Sequence, residues 1–254
     1  MRVKFLQINI FKGKYLDKLV EFIKRENPDF ISMQEVTTRG FNLYNDRDVS
    51  VFELLCSYLR MHGEFNGDLQ LSSDHKSVFG NAVFSKYSIV QKHVLSLKKF
   101  RPVTISELDG DNGRIREQIN RHLLDVIVKI KNRFVHIFSW HGAWTAPPHD
   151  TDETLRQGRL VRDYLNNVDG TFILGGDLNA VMASETVKLI SSVANNLMLN
   201  AQAKMTTNPA VHRISPRGYL VDYIFASRDV DLISLKVPQV TVSDHLPIVA
   251  EVEL

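Results

Sequence analysis

The chain has 254 residues, of which 44% are hydrophobic and 24% are charged, and its formal net charge is +2. Such a composition indicates an ordinary globular protein, and the length fits one α/β domain over 1–254 whose core needs no disulfide. Because the net charge is nearly neutral, the electrostatic field of the whole protein does not attract nucleic acid. Binding of a polyanion would therefore require a local basic patch on the protein surface. The single cysteine, Cys56, excludes an internal disulfide and fits a reducing compartment.

The first residues contain no apolar signal-peptide core and no small-residue cleavage site. No segment approaches the roughly 20 apolar residues that span a bilayer. We therefore expect a cytoplasmic protein without a membrane span, and the sequence indicates no obligate protein partner.

The chain opens with a predicted strand–helix–strand unit. Residues 3–10 alternate between polar and apolar side chains, as a strand does, and residues 15–26 carry apolar side chains at helical spacing. Asn27-Pro28 ends that helix, and 29–36 is a short apolar run typical of a buried strand. A unit of this length favours parallel pairing of its two strands through a right-handed crossover.

The remaining elements alternate between strands and a few helices. Helices are predicted over 48–61, 150–166 and 185–192, the second beginning at a capping box formed by Asp150 and Glu153. Strands are predicted over 78–84, 89–97, 123–130, 134–140, 171–174, 220–226, 232–237 and 248–252. Residues 65–68 and 109–113 are predicted loops, the second of them a candidate hairpin tip. Parallel strands first and hairpins afterwards suggest two stacked mixed β-sheets with helices outside.

Several predicted strands end in polar residues that packing alone does not require. Similar polar residues lie inside one predicted strand and just before the last one, and the full set is Asn9, Glu35, His141, Asp177 and Asn179 at or after strand ends, Asp222 within a strand, and Asp244 and His245 before the last strand. Each has a structural explanation: an asparagine forms turns, and Gly-Asp-Leu-Asn can cap a helix. A buried carboxylate within an apolar strand, however, must find a partner. If these strands are neighbours, the eight residues meet at one rim, where ligands commonly bind.

Six ordered motifs resemble those of the endonuclease/exonuclease/phosphatase superfamily, which includes DNase I and exonuclease III-type nucleases. The motifs are Asn9, Gln34-Glu35, Trp140-His141, Gly176-Asp177-Leu178-Asn179, Asp222-Tyr223 and Ser243-Asp244-His245-Leu246-Pro247. The resemblance covers nearly the whole chain, and the segment 141–157 is similar to small bacterial members. It implies a DNase I-like four-layer α/β sandwich, with two mixed sheets between helices, and Mg²⁺-dependent phosphoester hydrolysis, with Mn²⁺ as a possible substitute.

The resemblance also implies the metal-binding residues. Glu35 is the expected principal metal ligand, with Asn9 supporting metal or phosphate and Asp244 nearby. Hard Mg²⁺ prefers oxygen ligands and keeps several waters, so one or two carboxylates suffice.

The same resemblance implies the catalytic residues. Asp177 is expected to orient and deprotonate the attacking water, while Asn179 and His141 donate hydrogen bonds to the phosphate. His245 is expected to pair with Asp222, and it acts either as general base or as a cation that stabilises the pentavalent phosphorus.

Two departures set the chain apart from the repair nucleases it resembles. Phe11 stands where those nucleases usually carry an acidic residue two positions after the asparagine, and Trp140-His141-Gly142 replaces their Thr-His-Leu. Both changes argue against a repair nuclease and leave the core chemistry intact.

Other features bear on the substrate. Between 76 and 101 lie six basic residues and no acidic one; they either track a phosphate backbone or, more ordinarily, protect edge strands from association. Three aromatic residues could stack on a base, pack a lipid tail or lie in the core: Phe11, Trp140 and Trp144. Three arginines could bind additional phosphates: Arg114, Arg116 and Arg121.

Three functions remain open from the sequence. The first is a phosphodiesterase acting on nucleic acid or a nucleotide-like diester. The second is a phosphatase or phospholipase C-type hydrolase of a small or lipid phosphoester, which suits the low net charge. The third is a non-catalytic protein that binds a phosphate ligand, which the complete set of motif residues opposes.

Overall fold

A computed structural model describes residues 1–41, 48–109, 115, 119–212 and 217–254. Its strands are β1 (Arg2–Asn9), β2 (Phe30–Thr37), β3 (His62–Gln70), β4 (Ser77–Ser85), β5 (Ile89–Lys98), β6 (Arg121–Ile130), β7 (Arg133–His141), β8 (Thr171–Asp177), β9 (Asn195–Asn196), β10 (Asp222–Ala226), β11 (Asp231–Lys236) and β12 (Ile248–Glu253). Its helices are α1 (Leu16–Glu26), α2 (Val51–Leu59), α3 (Ile105–Asp109), α4 (Asp152–Asn166) and α5 (Glu185–Ser191). None of the described helices is long and apolar enough to cross a lipid bilayer.

The strands form two six-stranded mixed sheets. The first has the order β11-β12-β1-β2-β4-β3 and the second β5-β6-β7-β8-β10-β9. Each sheet has one parallel pair at its centre, β1 with β2 and β7 with β8, and its other pairs are antiparallel. The predicted parallel opening and the predicted pair of mixed sheets are therefore confirmed.

Helices cover the outer face of each sheet, which gives the four-layer arrangement. Helix α1 buries Leu19, Phe22 and Ile23 against apolar residues of the first sheet. Helices α4 and α5 bury side chains such as Val161 and Ile190 against the second sheet. Burial of apolar side chains at about 25 cal/mol per Å² is the main force that holds these layers together.

The two sheets contact each other through a polar seam under one rim. Gln34 Nε2 donates to Ser139 Oγ at 2.9 Å and to Ser32 Oγ at 3.1 Å, and all three side chains are buried. Ser32 Oγ donates in turn to the carbonyl oxygen of Gly175 at 3.0 Å. A Cβ on Gly175 would lie 2.6 Å from Gln7 Oε1, so this glycine is required for the close approach of the sheets.

Two local predictions were wrong. Residues 65–68 form part of β3 and pair with β4, because tertiary pairing overrides the turn preference of Asn-Gly-Asp. Thr151, and not Asp150, is the N-cap of α4, in a capping box with Thr154. Asp150 instead accepts hydrogen bonds from the backbone N–H groups of Glu185 and Thr186 at the start of α5. The predicted hairpin tip lies, from residue 110 onward, outside the described residues.

Candidate active site

The predicted site residues lie at one rim because of how the strands pair. His141, the last residue of β7, is directly opposite Asp177, the last residue of β8. Asp177 is in turn opposite Asp222, the first residue of antiparallel β10. Asn9 ends β1 in the facing sheet and reaches Asp177 through its side chain. Carboxyl ends of parallel strands thus meet across the two sheets, as expected for a ligand site.

Asp177 lies at the centre of the site. Its Oδ2 accepts a hydrogen bond from Asn9 Nδ2 at 3.1 Å, and its Oδ1 accepts one from the backbone N–H of Asn179 at 3.0 Å. The Nε2 atoms of His141 and His245 each lie 3.7 Å from Asp177 Oδ2. Burial, followed by the charge of Asp222, raises the pKa of Asp177 to about 7. The carboxyl group can therefore gain or lose a proton near neutral pH.

His245 and Asp222 form a buried pair beside that carboxyl group. Nδ1 of His245 lies 2.8 Å from Asp222 Oδ2, and both side chains are almost wholly buried. Burial lowers the pKa of His245, but the charges of Asp222 and Asp177 outweigh it and raise that pKa well above its usual value. The imidazole is therefore a cation that donates its Nδ1 proton to Asp222, which fixes the ring.

One potential ligand atom from each of Asp177, Asp222 and His245 lies within 4.8 Å of the other two, a spacing that metal ligands also have. In this group Nδ1 of His245 is already paired with Asp222 Oδ2, and Nε2 faces Asp177 Oδ2. The proton on His245 therefore supplies the positive charge that this group of carboxylates needs.

Glu35 is re-aimed into the site by an irregularity in β2. The β2–β4 register shifts between Met33 and Val36, and Glu35 between them has a left-handed φ of 57°. Its Oε2 lies 2.7 Å from Nζ of Lys12. Burial raises the pKa of Glu35, but Lys12 and His141 lower it by a larger amount, so that the pKa is about 2. The carboxylate is ionised and already binds one cation.

Asp244 is the second carboxylate of this part of the site. Burial raises its pKa, the charge of His245 lowers it, and the charge of Glu35 raises it again. Asn9 Oδ1 accepts from the backbone N–H of Phe11 at 3.1 Å and keeps one lone pair for another partner. Glu35 and Asp244, with Asn9 Oδ1, are the oxygen donors here that could hold a divalent metal.

Lys12 was not identified from the sequence. It sits in a turn after β1 in which Phe11, Lys12 and Gly13 all have left-handed φ values, of 49°, 58° and 77°. Two consecutive non-glycine residues in that region are uncommon, and only Gly13 hinted at a turn here. The turn directs the Lys12 ammonium back to Glu35.

His141 and Asn179 flank Asp177 on its other side. Burial, followed by the charge of Arg121, lowers the pKa of His141 well below its usual value, so this imidazole is neutral. Its Nδ1 is buried without a hydrogen-bond partner among the described residues. Asn179 has a left-handed φ of 52° and its Nδ2 lies 3.4 Å from the carbonyl oxygen of Gly142. Both side chains retain hydrogen-bonding capacity for a ligand.

A cavity of about 330 Å³ adjoins Asn179 and His245, and we call it the first cavity. His245 and Asn179 contribute to its wall, together with Trp144, His212 and Tyr219. Trp144 therefore lies at the site, whereas Trp140 is buried in the core. Phe11 lies beneath the ammonium groups of Lys12 and Lys14, each a little over 5 Å from the ring centroid.

Most of the basic strip between 76 and 101 is neutralised by neighbouring carboxylates. The pairs are Lys76–Asp74, Lys86–Asp29, Lys92–Glu64 and Arg101–Glu107. Strand β5, which carries Lys92 and Lys98, is an edge strand of the second sheet. The structure thus supports the protective explanation for these lysines. Arg114 and Arg116 lie outside the described residues.

Two stacked mixed sheets between helices, with carboxylates and histidines at one rim, define the DNase I-like class of hydrolases. The model of the Endonuclease/Exonuclease/phosphatase family matches residues 6–245, and the chain belongs to that family. Its members hydrolyse phosphoester bonds, and this chain is an enzyme of that kind.

Solved structures agree with the fold. An endonuclease/exonuclease/phosphatase from Bacteroides vulgatus superimposes with a TM-score of 0.73 at 18% identity, over 100% of this chain and 99% of that one. The mannosyl-6-phosphatase of Bacteroides thetaiotaomicron gives 0.72 at 15% identity, over 99% and 100%. The human Nocturnin catalytic domain with bound sulfate gives 0.70 at 20% identity, over 99% and 94%. No curated protein sequence matches the chain significantly.

Proposed function

We propose that this protein is a Mg²⁺-dependent phosphodiesterase that acts on a nucleotide-like diester. The observation that carries the proposal is the protonated His245–Asp222 pair facing Asp177, next to the carboxylates Glu35 and Asp244. Cationic donors beside ionised oxygen ligands match the charge that a phosphoryl group develops as it is transferred.

The donor set fits Mg²⁺. Glu35 and Asp244 are hard oxygen donors; burial raises the pKa of Asp244 and the charge of Glu35 adds to that effect, so a bound cation would relieve the repulsion between the two carboxylates. Glu35 would be the main ligand, with Asp244 and Asn9 Oδ1 beside it, and Mn²⁺ accepts the same donors. Mg²⁺ bound here would neutralise phosphate oxygens and the departing oxygen.

The protein's own residues supply the remaining chemistry. Asp177, with a pKa of about 7, orients a water and takes up its proton. His245, kept protonated by Asp222, stabilises the negative charge of the pentavalent phosphorus. The neutral His141 and the amide of Asn179 hold the phosphate oxygens. Of the two roles open for His245, the raised pKa favours the cation over the general base.

Two features favour a nucleotide-like diester over a nucleic acid duplex. The lysines that could track a phosphate backbone are largely paired with carboxylates, which removes their net attraction. The first cavity has a volume of about 330 Å³, the lower end for small-molecule sites, and its Trp144 and Tyr219 can stack on one planar group.

A phosphatase acting on a small phosphomonoester is the second candidate. It is favoured by Lys12, whose ammonium adds positive charge next to Glu35, where a dianionic phosphate would need it. The fold is also that of a Bacteroides thetaiotaomicron protein described as a mannosyl-6-phosphatase.

The test is hydrolysis by the purified protein, with Mg²⁺ or EDTA, of thymidine 5′-(4-nitrophenyl phosphate) and of 4-nitrophenyl phosphate. We expect Mg²⁺-dependent release of nitrophenol, with kcat/KM at least about tenfold higher for the diester. Greater activity on the monoester would favour the phosphatase. Absence of activity on both substrates would overturn the proposed hydrolysis of nucleotide-like diesters and of small phosphomonoesters. Short DNA strands at two salt concentrations test the third substrate class, since nucleic acid binding weakens steeply with salt.

A further inference from the structure

His212, which no sequence motif indicated, lies directly beside the catalytic imidazole. The centroids of the His212 and His245 rings are 5.4 Å apart, and their planes are tilted by 58°. Both histidines contribute to the wall of the first cavity. A group that fills this cavity against His212 therefore lies one side chain away from the imidazole that faces Asp177.

The backbone around His212 is fastened to the segment that carries His245. Thr207 forms an antiparallel bridge with His245. The backbone N–H of Asn208 donates to the carbonyl oxygen of Asp244 at 2.7 Å. The carbonyl oxygen of Asn208 in turn accepts from the backbone N–H of His212 at 2.8 Å, which closes a turn. Backbone hydrogen bonds thus set the position of His212, and a change of its side chain does not remove them.

Two further rings complete this wall from other loops. Tyr219 precedes β10, and its backbone N–H donates to Thr207 Oγ1 at 2.7 Å, while its carbonyl oxygen accepts from the backbone N–H of Thr207 at 3.0 Å. Trp144 follows β7, and the apolar rings of Pro147 and Pro148 line the cavity with it. Aromatic rings from three separate loops therefore surround one small cavity beside the catalytic residues.

These rings favour a flat, uncharged group. Burial, followed by the charge of His245, lowers the pKa of His212 to about 4, so the imidazole is neutral near pH 7. Aromatic side chains stack on the face of any nucleobase, and one such stack strengthens binding at least about fivefold. A sugar or an alkyl chain has no aromatic face and gains only contact area from the same wall. The first cavity therefore suits the base of a nucleotide better than its sugar or a lipid chain.

We propose that His212, Trp144 and Tyr219 form a base subsite in the first cavity, and that His212 sets the preference for a flat ring there. The base subsite rests on the proposed function, because it assigns the base of the nucleotide-like diester to the first cavity. Binding of a base to the cavity can nevertheless be measured without catalysis.

The direct test compares the binding of thymidine 5′-phosphate and of 2-deoxyribose 5-phosphate to the whole protein, by calorimetry in EDTA. The two ligands carry the same sugar and the same phosphate, so the ratio of their Kd values measures the contribution of the base. We expect thymidine 5′-phosphate to bind at least about fivefold more tightly. Equal affinities would overturn the base subsite.

Three variants assign that preference to the ring of His212. His212→Ala should reduce the ratio of Kd values towards one, whereas His212→Phe retains a flat ring and should preserve most of the ratio. His93→Ala is the matched control, because it removes an exposed imidazole of β5 that does not line the first cavity. An unchanged ratio in His212→Ala would overturn the role of His212. An equal loss in His212→Phe would overturn stacking as the cause of the preference.

A substrate pair separates recognition of the base from support of His245. Thymidine 5′-(4-nitrophenyl phosphate) and methyl 4-nitrophenyl phosphate both release nitrophenol, but only the first carries a base. With Mg²⁺ we expect a KM at least about fivefold lower for the thymidine ester, and His212→Ala should reduce that ratio. If His212→Ala lowered kcat equally for both esters and left the ratio of KM values unchanged, His212 would only support His245, and the proposed role would be wrong. Failure to hydrolyse either ester would count against the proposed function alone, because the binding comparison decides the subsite.

Discussion

Nζ of Lys12 lies 2.7 Å from Oε2 of Glu35, so an ammonium group contacts the carboxylate expected to bind the metal. The contact depends on a left-handed turn after β1 and on the irregularity in β2, since both residues have positive φ. Together with His141, Lys12 lowers the pKa of Glu35 to about 2. The proposed metal site therefore contains a positive charge that belongs to the protein.

Replacing that charge should strengthen metal binding. Because an ammonium and a divalent cation repel each other at short range, Lys12→Met should bind Mn²⁺ at least about threefold more tightly than the wild type. The affinity can be measured by calorimetry or by the Mn²⁺ paramagnetic resonance signal. Lys14→Met is the matched control, because Lys14 is exposed and should leave the affinity unchanged. Weaker binding by Lys12→Met would show that Lys12 supports the metal.

Asp222→Asn should lower kcat at least about 100-fold with little change in KM. The amide keeps the size of Asp222 but removes the charge that orients and protonates His245. Asp125→Asn is a control of the same chemistry, because Asp125 Oδ1 lies 2.9 Å from Nδ1 of His136 and neither residue lies at the site. Steady-state kinetics should separate the two variants, and equal loss of activity in both would contradict a catalytic role for Asp222.

The pH–rate profile should have an acid limb near pH 7. Asp177 must be ionised to accept a proton, and its ionised fraction grows as pH rises through the pKa of about 7. The raised pKa of His245 keeps it protonated over the same range, so loss of that proton limits activity only at higher pH. The hydrogen bond from Asn9 lowers the pKa of Asp177, and Asn9→Ala should therefore move the acid limb to higher pH. If the acid limb of Asn9→Ala stays at the wild-type pH, then titration of Asp177 does not cause that limb.

Asp177→Asn should inactivate the enzyme and stabilise it. The folded-state pKa of Asp177 is raised from 3.8 to about 7, so its contribution to stability is full below pH 3.8 and is lost as pH rises through 7. The amide does not ionise, so we expect the free energy of unfolding to increase by roughly 1–3 kcal/mol at pH 8 and by less at pH 5. Thermal unfolding of the metal-free proteins at the two pH values measures it. A variant less stable than the wild type at pH 8 would contradict the raised pKa.

The sequence predicts the fold and the rim of the site because both depend on local patterns. Asp177 and His245 each follow or precede a strand in a short motif, and strand pairing then brings them together. The period-two and helical patterns likewise predicted most strands and the long helices. Both the motifs and the periodic patterns are formed by residues close together in the sequence, so they can be recognised without the structure.

The features that the sequence did not reveal depend on distant partners. Lys12 reaches Glu35 only through an unusual turn and a shifted register, and neither has a clear composition signal. Asp150 caps a helix more than thirty residues further along the chain, so its local capping pattern was misleading. The pairing of Lys98 with Arg121 follows from a register that a sequence pattern does not fix.

We infer that a metal ion and His245 act together on a phosphodiester. The most direct measurement is kcat/KM for thymidine 5′-(4-nitrophenyl phosphate), by wild type and His245→Ala, with Mg²⁺ and with EDTA. We predict activity only with Mg²⁺, and at least about 100-fold less of it in a folded His245→Ala. Activity that persists in EDTA, or that survives unchanged in His245→Ala, would contradict the account.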